Sequence, residues 1–526
     1  MRTDRPNVRG ESRFLPNTAA LTIHTVFATL ITLLQVKILA AFLAKETFGL
    51  FASLRGLSLL VATLAANGLP QLLVRFFPEL ESKQQGGAAV RVYSISIITS
   101  LGFLAVAYLI VGGTREYLFA FMPSGALSKE LLFWFWVTVA GWALKLIVYG
   151  GLNGIRRLTI HTVLDIAALA VQLGWIFIER GSLSLTVLFK IMGVVAIAEA
   201  FVGAVVIVLF LARAAASDGS VVQRADPSGA NVQRYITYWG WAVGLSIVAV
   251  AFTDVDRYLL SQVITLEMLA LFHIGARITR LANRLLGVPN LAFQPEITRL
   301  EAEDRPSQIV LSTRVFMKFG AAVAAFIAAT LIAFAGEIIT IVANPEYMGA
   351  APLLLLLALA MPLSAMTAPL TSVMKALDKV RSALYCDLVW ACTYVCLLLL
   401  LGSYFGIIGA GYAQLLACMA QLLLASRLSR LPMKLRFATG LGSTLAVCSL
   451  VAFAPLFIIE IVLGWTAVGM ITVLKVALFV FALFMFKKMV AVMNILTGEE
   501  RAVLIEMLEK RGFGGIARFA LGRLEN

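Results

Sequence analysis

The 526-residue chain is 60% hydrophobic and 14% charged, against about 25% charged residues in an ordinary soluble domain, so it has too little polar surface to dissolve and its solvent is lipid. A formal net charge of +14 does not point to nucleic acid, because the Lys and Arg are scattered between apolar runs rather than grouped with aromatics on a polar domain. The five cysteines, Cys386, Cys392, Cys396, Cys418 and Cys448, lie in apolar stretches without a pairing pattern or zinc-type spacing, so they read as small core residues and imply no metal and no cofactor.

A bilayer core about 30 Å thick takes roughly 20 apolar residues per helix, because backbone polar groups must be satisfied internally. Residues 1–16 are polar and basic and form a cytoplasmic segment; the apolar run after them is too long for a signal peptide and lacks a small-residue cleavage site, so it stays as a transmembrane helix. Fourteen spans are predicted, over 17–43, 47–76, 90–111, 131–151, 158–178, 184–212, 235–255, 266–293, 310–342, 350–374, 383–401, 406–425, 437–462 and 466–486. With the N-terminus cytoplasmic, alternate loops hold most of the basic residues, among them Arg75, Arg156, Arg157, Arg213, Arg299, Arg305, Arg381 and Arg427. The opposite loops hold only Lys45, Arg115, Lys129, Arg180 and Arg257. That asymmetry is the positive-inside pattern; it supports an even helix count and puts both termini in the cytoplasm.

The chain also repeats itself. GLPQLLVRFFPEL at 68–80 returns as GVPNLAFQPEI at 287–297, and LNGIRRLTIHTVLDI, ending near Asp165, parallels MKALDKVRSALYCDL, ending near Asp387. An offset of roughly 220 residues is about six helices, so the halves keep one orientation in the membrane, one of the two repeat designs of secondary transporters. The expected organisation is a first lobe over 17–213, a Ser-, Gly- and Asp-rich linker over 214–234, and a second lobe over 235–431. Two more spans fall within 432–490, and an amphipathic cytoplasmic tail over 491–526 closes the chain.

KETFGLF at 45–51, NGLPQLLVRFFPEL at 67–80 and DVDRYLL at 254–260, in this layout, resemble the polysaccharide transporter family of the multidrug/oligosaccharidyl-lipid/polysaccharide (MOP) flippase superfamily, which includes the bacterial O-antigen flippases. The likeness covers essentially the whole chain, as layout and loose phrases rather than an invariant motif. It implies an all-α polytopic membrane protein: two pseudosymmetric six-helix lobes in a V around a central cavity, with two further helices outside. It also implies movement of an undecaprenyl-pyrophosphate-linked oligosaccharide (an O-antigen, exopolysaccharide or capsule unit) across the bacterial inner membrane by alternating access. Polymerase and assembly proteins of lipopolysaccharide or capsule synthesis are the partners it suggests.

Charges within the spans carry the mechanism, since an ionisable side chain at the centre of a lipid-exposed helix costs roughly 2.5 to 3.5 kcal/mol. His273, Arg277, Arg280 and Arg284 follow one another at i, i+4, i+7 and i+11 on one helix face, a stripe roughly 16 Å long at about 1.5 Å of rise per residue. One reading is a track on which arginine forks grip pyrophosphate oxygens; the other leaves Arg277 deep while Arg280 and Arg284 snorkel to the cytoplasmic interface. Lys37 and Arg55 are the counterparts in the first lobe, expected to converge on the same cavity or to reach water near the outer end.

Asp254 and Arg257 suggest an ion pair at the outer surface, with Asp256 pointing elsewhere, a candidate for facing the cavity and for ion coupling. Asp165 and Asp387 are candidates for ion coupling or, preferably, partners of loop arginines, and Glu199, nine residues after Lys190, is a candidate proton carrier. Lys145 and Lys475 are deep lysines without an assigned partner. Pro70 and Pro289 are expected inside the second helix of each half, and Pro352, Pro362 and Pro369 in the tenth, bending their helices to permit rocking or only to shape the lobes.

The rival readings are a multidrug or cation antiporter, or a lipid II flippase, of the same superfamily; a cavity dominated by Arg and Lys repels cationic drugs. A membrane-embedded glycan polymerase or ligase would be an enzyme and needs acid, base or phosphate-binding groups in a sizeable outer loop. The longest such loop is 112–130 and holds no histidine, and the sequence shows no Walker-type loop or nucleophile constellation.

Overall fold

A computed structural model describes residues 14–82, 86–119, 128–155, 157–217, 235–244, 246, 255–377, 379–429, 435–463 and 470–492, with positions 498, 500 and 505 of the tail. The described residues are helical with short connections and contain no strand. Among the described residues nine helices are long and apolar enough to cross a membrane, so the chain is a multi-pass membrane protein. It forms two compact units, Met1–Ala270 and Leu271–Asn526.

The first unit contains α1 (Phe14–Phe42), α2 (Lys45–Ala66), α3 (Leu69–Ser82), α4 (Gly86–Leu118), α5 (Lys129–Gly154), α6 (Leu158–Ile178) and α7 (Leu185–Ser217). A helical stretch at 235–244 and the short α8 (Val255–Leu260) also belong to it. The described residues of 235–270, which the repeat assigns to the second half, therefore belong to the first unit. Ser53 of α2 donates a buried hydrogen bond to Ser261, just past α8, at 2.8 Å. Leu73, Phe77, Tyr93, Ile147, Leu152 and Ile207 form a core from α3, α4, α5 and α7, while Ile98, Leu109 and Phe201 point outward, as lipid as solvent allows.

The expected span 47–76 is two helices. Asn67 (φ 43°) and Gly68 (φ 73°) are left-handed, ending α2, and α3 restarts at Leu69. Pro70 thus occupies the first turn of α3, where its missing N–H costs nothing; the expected proline kink is a glycine break. A Cβ on Gly68 would stand 2.7 Å from the Ala242 carbonyl carbon. Trp239 holds the break by donating its indole N–H to Asn67 O at 2.7 Å.

α9 (Leu266–Ala302) starts in the last residues of the first unit and continues into the second. It runs unbroken for 37 residues through positions 287 and 289, so the second copy of the repeated phrase does not break its helix; the Pro289 side chain lies outside the described residues.

The second unit goes on with α10 (Pro306–Ala333), α11 (Ala335–Val342), a 3-10 turn (Pro345–Ala350), α12 (Ala351–Ala376), α13 (Val380–Leu428), α14 (Leu435–Leu463) and α15 (Met470–Val492). Pro352 is in the first turn of α12, whereas Pro362 and Pro369 are interior. α13 is one 49-residue helical run interrupted at Gly406 (φ 59°, ψ −135°). The chain doubles back there, because Gln421 reaches Asp387 within hydrogen-bonding distance across 34 residues that a straight helix would spread over roughly 50 Å. α14 and α15 are part of this unit's core, with Phe453 and Phe486 among the buried side chains and Phe326 and Phe479 packed against them.

Candidate functional site

The basic stripe lies on α9 as its spacing predicts, with a burial gradient along it. His273 (1% exposed) and Arg277 (6%) are buried, Arg280 is half-buried and Arg284 is exposed. Phe272, Ile274, Ile278 and Leu281 are buried beside them, so α9 is enclosed where it is most charged. The two deepest groups are covered by protein rather than by acyl chains, and Thr279 satisfies its hydroxyl on Gly275 O at 3.1 Å in the same turn.

In the first unit Lys37 and Arg55 are half-buried. The Arg55 guanidinium lies over the Trp142 ring, 5.9 Å from its centroid, a cation–π contact between α2 and α5. Asp256 is buried on α8, and Arg257, expected at the outer surface, is fully buried: α8 packs against α2, which takes Arg257 out of contact with water. Asp254 lies outside the described residues.

The densest polar constellation is one the sequence reading left in pieces. Lys145 Nζ is 2.8 Å from Asp165 Oδ1 and 2.8 Å from Glu199 Oε2. The Tyr149 hydroxyl lies 3.0 Å from the same Asp165 oxygen and also contacts Glu199 Oε1. One turn on, Asn153 Oδ1 meets His161 Nδ1 at 2.9 Å, and the Tyr149 and His161 rings are 3.8 Å apart. α5 supplies positions 145, 149 and 153, α6 supplies 161 and 165, and α7 supplies 199. Lys145 thus has two partners, and Asp165 meets a lysine within the helices. Glu199 pairs with Lys145, while Lys190 lies over Trp134. The sequence signal was there: polar residues at i, i+4 and i+8 on α5 and at i, i+4 on α6 mark one face of each helix.

The second unit repeats the register with other chemistry. Asp387 and Gln421 each stand 222 positions after Asp165 and Glu199. Gln421 Nε2 donates to Asp387 Oδ1 at 3.0 Å, and Lys375 stands 3.8 Å from the other oxygen. Lys475 pairs with Glu337 at 2.6 Å, both buried, tying α15 to α11. Lys318 of α10 holds Glu500 of the tail at 2.7 Å.

No family model and no curated protein matches the chain at the level of sequence. Solved structures do. The lipid II flippase MurJ in an inward closed conformation aligns over 91% of this chain and 98% of its own, with a TM-score of 0.67 at 12% identity. An inward-facing multidrug resistance MATE transporter of the MOP superfamily covers 76% of this chain and 94% of its own (TM-score 0.58, 15% identity). A MOP superfamily transporter from Pyrococcus furiosus, described as having a binding pocket of reverse polarity, covers 80% and 97% (TM-score 0.55, 13% identity). The chain has the fold of the MOP superfamily transporters. At these identities the likeness concerns the fold alone, and the chemistry rests on this chain's own residues.

Proposed function

We propose that this protein is a flippase that carries an undecaprenyl-pyrophosphate-linked oligosaccharide from the cytoplasmic to the outer leaflet of a bacterial inner membrane by alternating access. The observation that carries the reading is the graded stripe on α9, buried at His273 and Arg277, half-buried at Arg280 and exposed at Arg284. Guanidinium groups bind pyrophosphate oxygens through paired, charge-assisted hydrogen bonds, and a run of them from exposed to buried offers successive positions to one anionic headgroup. The same cations disfavour a cationic drug as cargo. Polymerase and assembly proteins that consume the flipped unit are the expected partners, and the reading assigns no chemical step to the chain.

Deletion of the gene in its native host should leave a lipid-linked glycan on the cytoplasmic side, and its composition identifies the cargo. A glycan repeat unit supports the proposal, a peptidoglycan precursor assigns the lipid II reading instead, and the absence of any accumulated intermediate overturns both. Arg277→Ala should impair flipping at near-normal protein level; full activity in that variant would dismiss the stripe.

A further inference from the structure

The Gly-apolar-Pro phrase that the chain repeats takes two different backbones. In the second copy α9 continues as helix through Leu286, Gly287 and Pro289. In the first, Asn67 (φ 43°) and Gly68 (φ 73°) turn left-handed and separate α2 from α3. One residue differs at the decisive place: Asn67 stands where the second copy has Leu286, and asparagine enters the left-handed region far more readily than leucine. Asn67 therefore permits the break, but the backbone hydrogen bonds given up there need other partners. In an unbroken helix the Asn67 carbonyl would accept from the amide of Gln71, four residues on. Here the Trp239 indole N–H donates to that carbonyl at 2.7 Å.

Trp239 belongs to the helical stretch 235–244, which lies across the break. Ala242 meets Gly68 so closely that a Cβ on the glycine would stand 2.7 Å from its carbonyl carbon. Phe76 of α3 meets Tyr235 and Tyr238 edge-on, with ring centroids 4.3 and 5.4 Å away. This packing is light: Tyr235, Tyr238 and Trp239 are half-buried, and Ile236, Thr237, Gly240 and Trp241 are exposed. The α8 end of the same unit is sealed, with Arg257 and Leu260 fully buried and Ser53 bonded to Ser261. A contact made of ring edges and one hydrogen bond to a backbone carbonyl is reversible at modest cost.

We propose that the α2–α3 break is a two-state hinge, bent while the stretch 235–244 is latched on it through Trp239 and continuous when the latch lifts. In the continuous form the Asn67 carbonyl passes from the indole to the Gln71 amide, and Asn67 and Gly68 return to helical angles. Pro70 then becomes an interior proline with its ring toward the Ala66 carbonyl, a strain that favours the bent form while Trp239 is in place. The strain is bearable, because α9 carries the same phrase in an unbroken run. The latch comes directly after the linker expected over 214–234, so a displacement of that linker is converted into a change in the direction of α3.

Asn-Gly occurs twice in the chain, at 67–68 and at 153–154 near the end of α5. Solid-state NMR of the full-length protein in lipid, with isotope-labelled asparagine carbonyl carbon and glycine nitrogen, therefore gives two correlations, the second a helical reference. Wild type should show a left-handed signal for Asn67–Gly68. Trp239→Phe keeps a ring and removes the donor, so it should move the balance toward the continuous form by roughly two- to tenfold, seen as an added helical signal. Asn67→Leu, which copies the second phrase, should release the indole and move the Trp239 N–H resonance from its hydrogen-bonded position. Each variant reads one coupling from its own side, so if one fails to accumulate the other decides. A purely helical Asn67–Gly68 signal in wild type, a purely left-handed one in Trp239→Phe, or an unmoved indole resonance in Asn67→Leu would overturn the hinge. No cargo is present in these measurements, so the hinge and the flippase reading stand or fall separately.

Discussion

Asp165 and Asp387 hold one position in the repeat, yet their surroundings follow opposite strategies. In the first unit Asp165 shares an ammonium with a second acid, and all three groups are at least half-buried. In the second unit that acid is Gln421, and the nearest ammonium, Lys375, stands at 3.8 Å with its side chain 39% exposed. One fold thus supports a charged network in one half and a nearly neutral one in the other. The comparison teaches that pseudosymmetry of the backbone does not extend to electrostatics, so ion chemistry is sought where the acid is doubled.

The largest effect should separate the two lysines. Lys145→Met leaves two enclosed carboxylates without their ammonium and should cost roughly 3 to 5 kcal/mol, the usual penalty for breaking a buried pair. Lys375→Met removes a long, partly solvated contact and should cost about 1 kcal/mol or less. Thermal unfolding of the two purified variants checks both, and equal losses would erase the distinction drawn between the units.

The repeated Gly-apolar-Pro phrase gives the next contrast. Gly68→Ala puts a side chain where φ is 73° and where a Cβ meets the backbone at Ala242, so it should destabilise the protein by at least roughly 1 to 2 kcal/mol. Gly287→Ala lies in an unbroken helix with nothing within 4 Å of the added Cβ, and it should be neutral or stabilising by about 0.5 to 1 kcal/mol. Melting temperatures of the pair test whether the break belongs to the first copy alone.

Gln421→Glu is the smallest change and the sharpest. It gives the second unit a doubled acid without the Tyr149 counterpart, since position 371 is Thr. An ionised carboxyl there cannot donate to Asp387 as the amide does, so the variant should be less stable than wild type at neutral pH by about 1 kcal/mol. Equal melting temperatures would show that the second carboxyl is accommodated without cost.

The sequence carried the architecture further than the site. The expected span 158–178 coincides with α6, and the boundary between expected spans 383–401 and 406–425 falls at the Gly406 reversal, because apolar run length and a glycine are local signals. The α9 stripe was legible for the same reason, since all four residues share one helix and one period. Lys145, Asp165 and Glu199 sit on three helices, and no local pattern states which faces meet. Pro70 was misread because composition does not reveal the positive φ of the preceding glycine. The burial of Arg257 depends on α2, a helix some 200 residues earlier in the chain.

The reversal at Gly406 places Tyr404, 76% exposed, and Phe405 beside it at the tip of a helical hairpin. Aromatic rings of this kind settle at the level of lipid headgroups, so the tip is a depth gauge. A quencher carried at graded positions along the acyl chain, read against a fluorophore at position 404, would report how deep this end of the second unit sits in the bilayer.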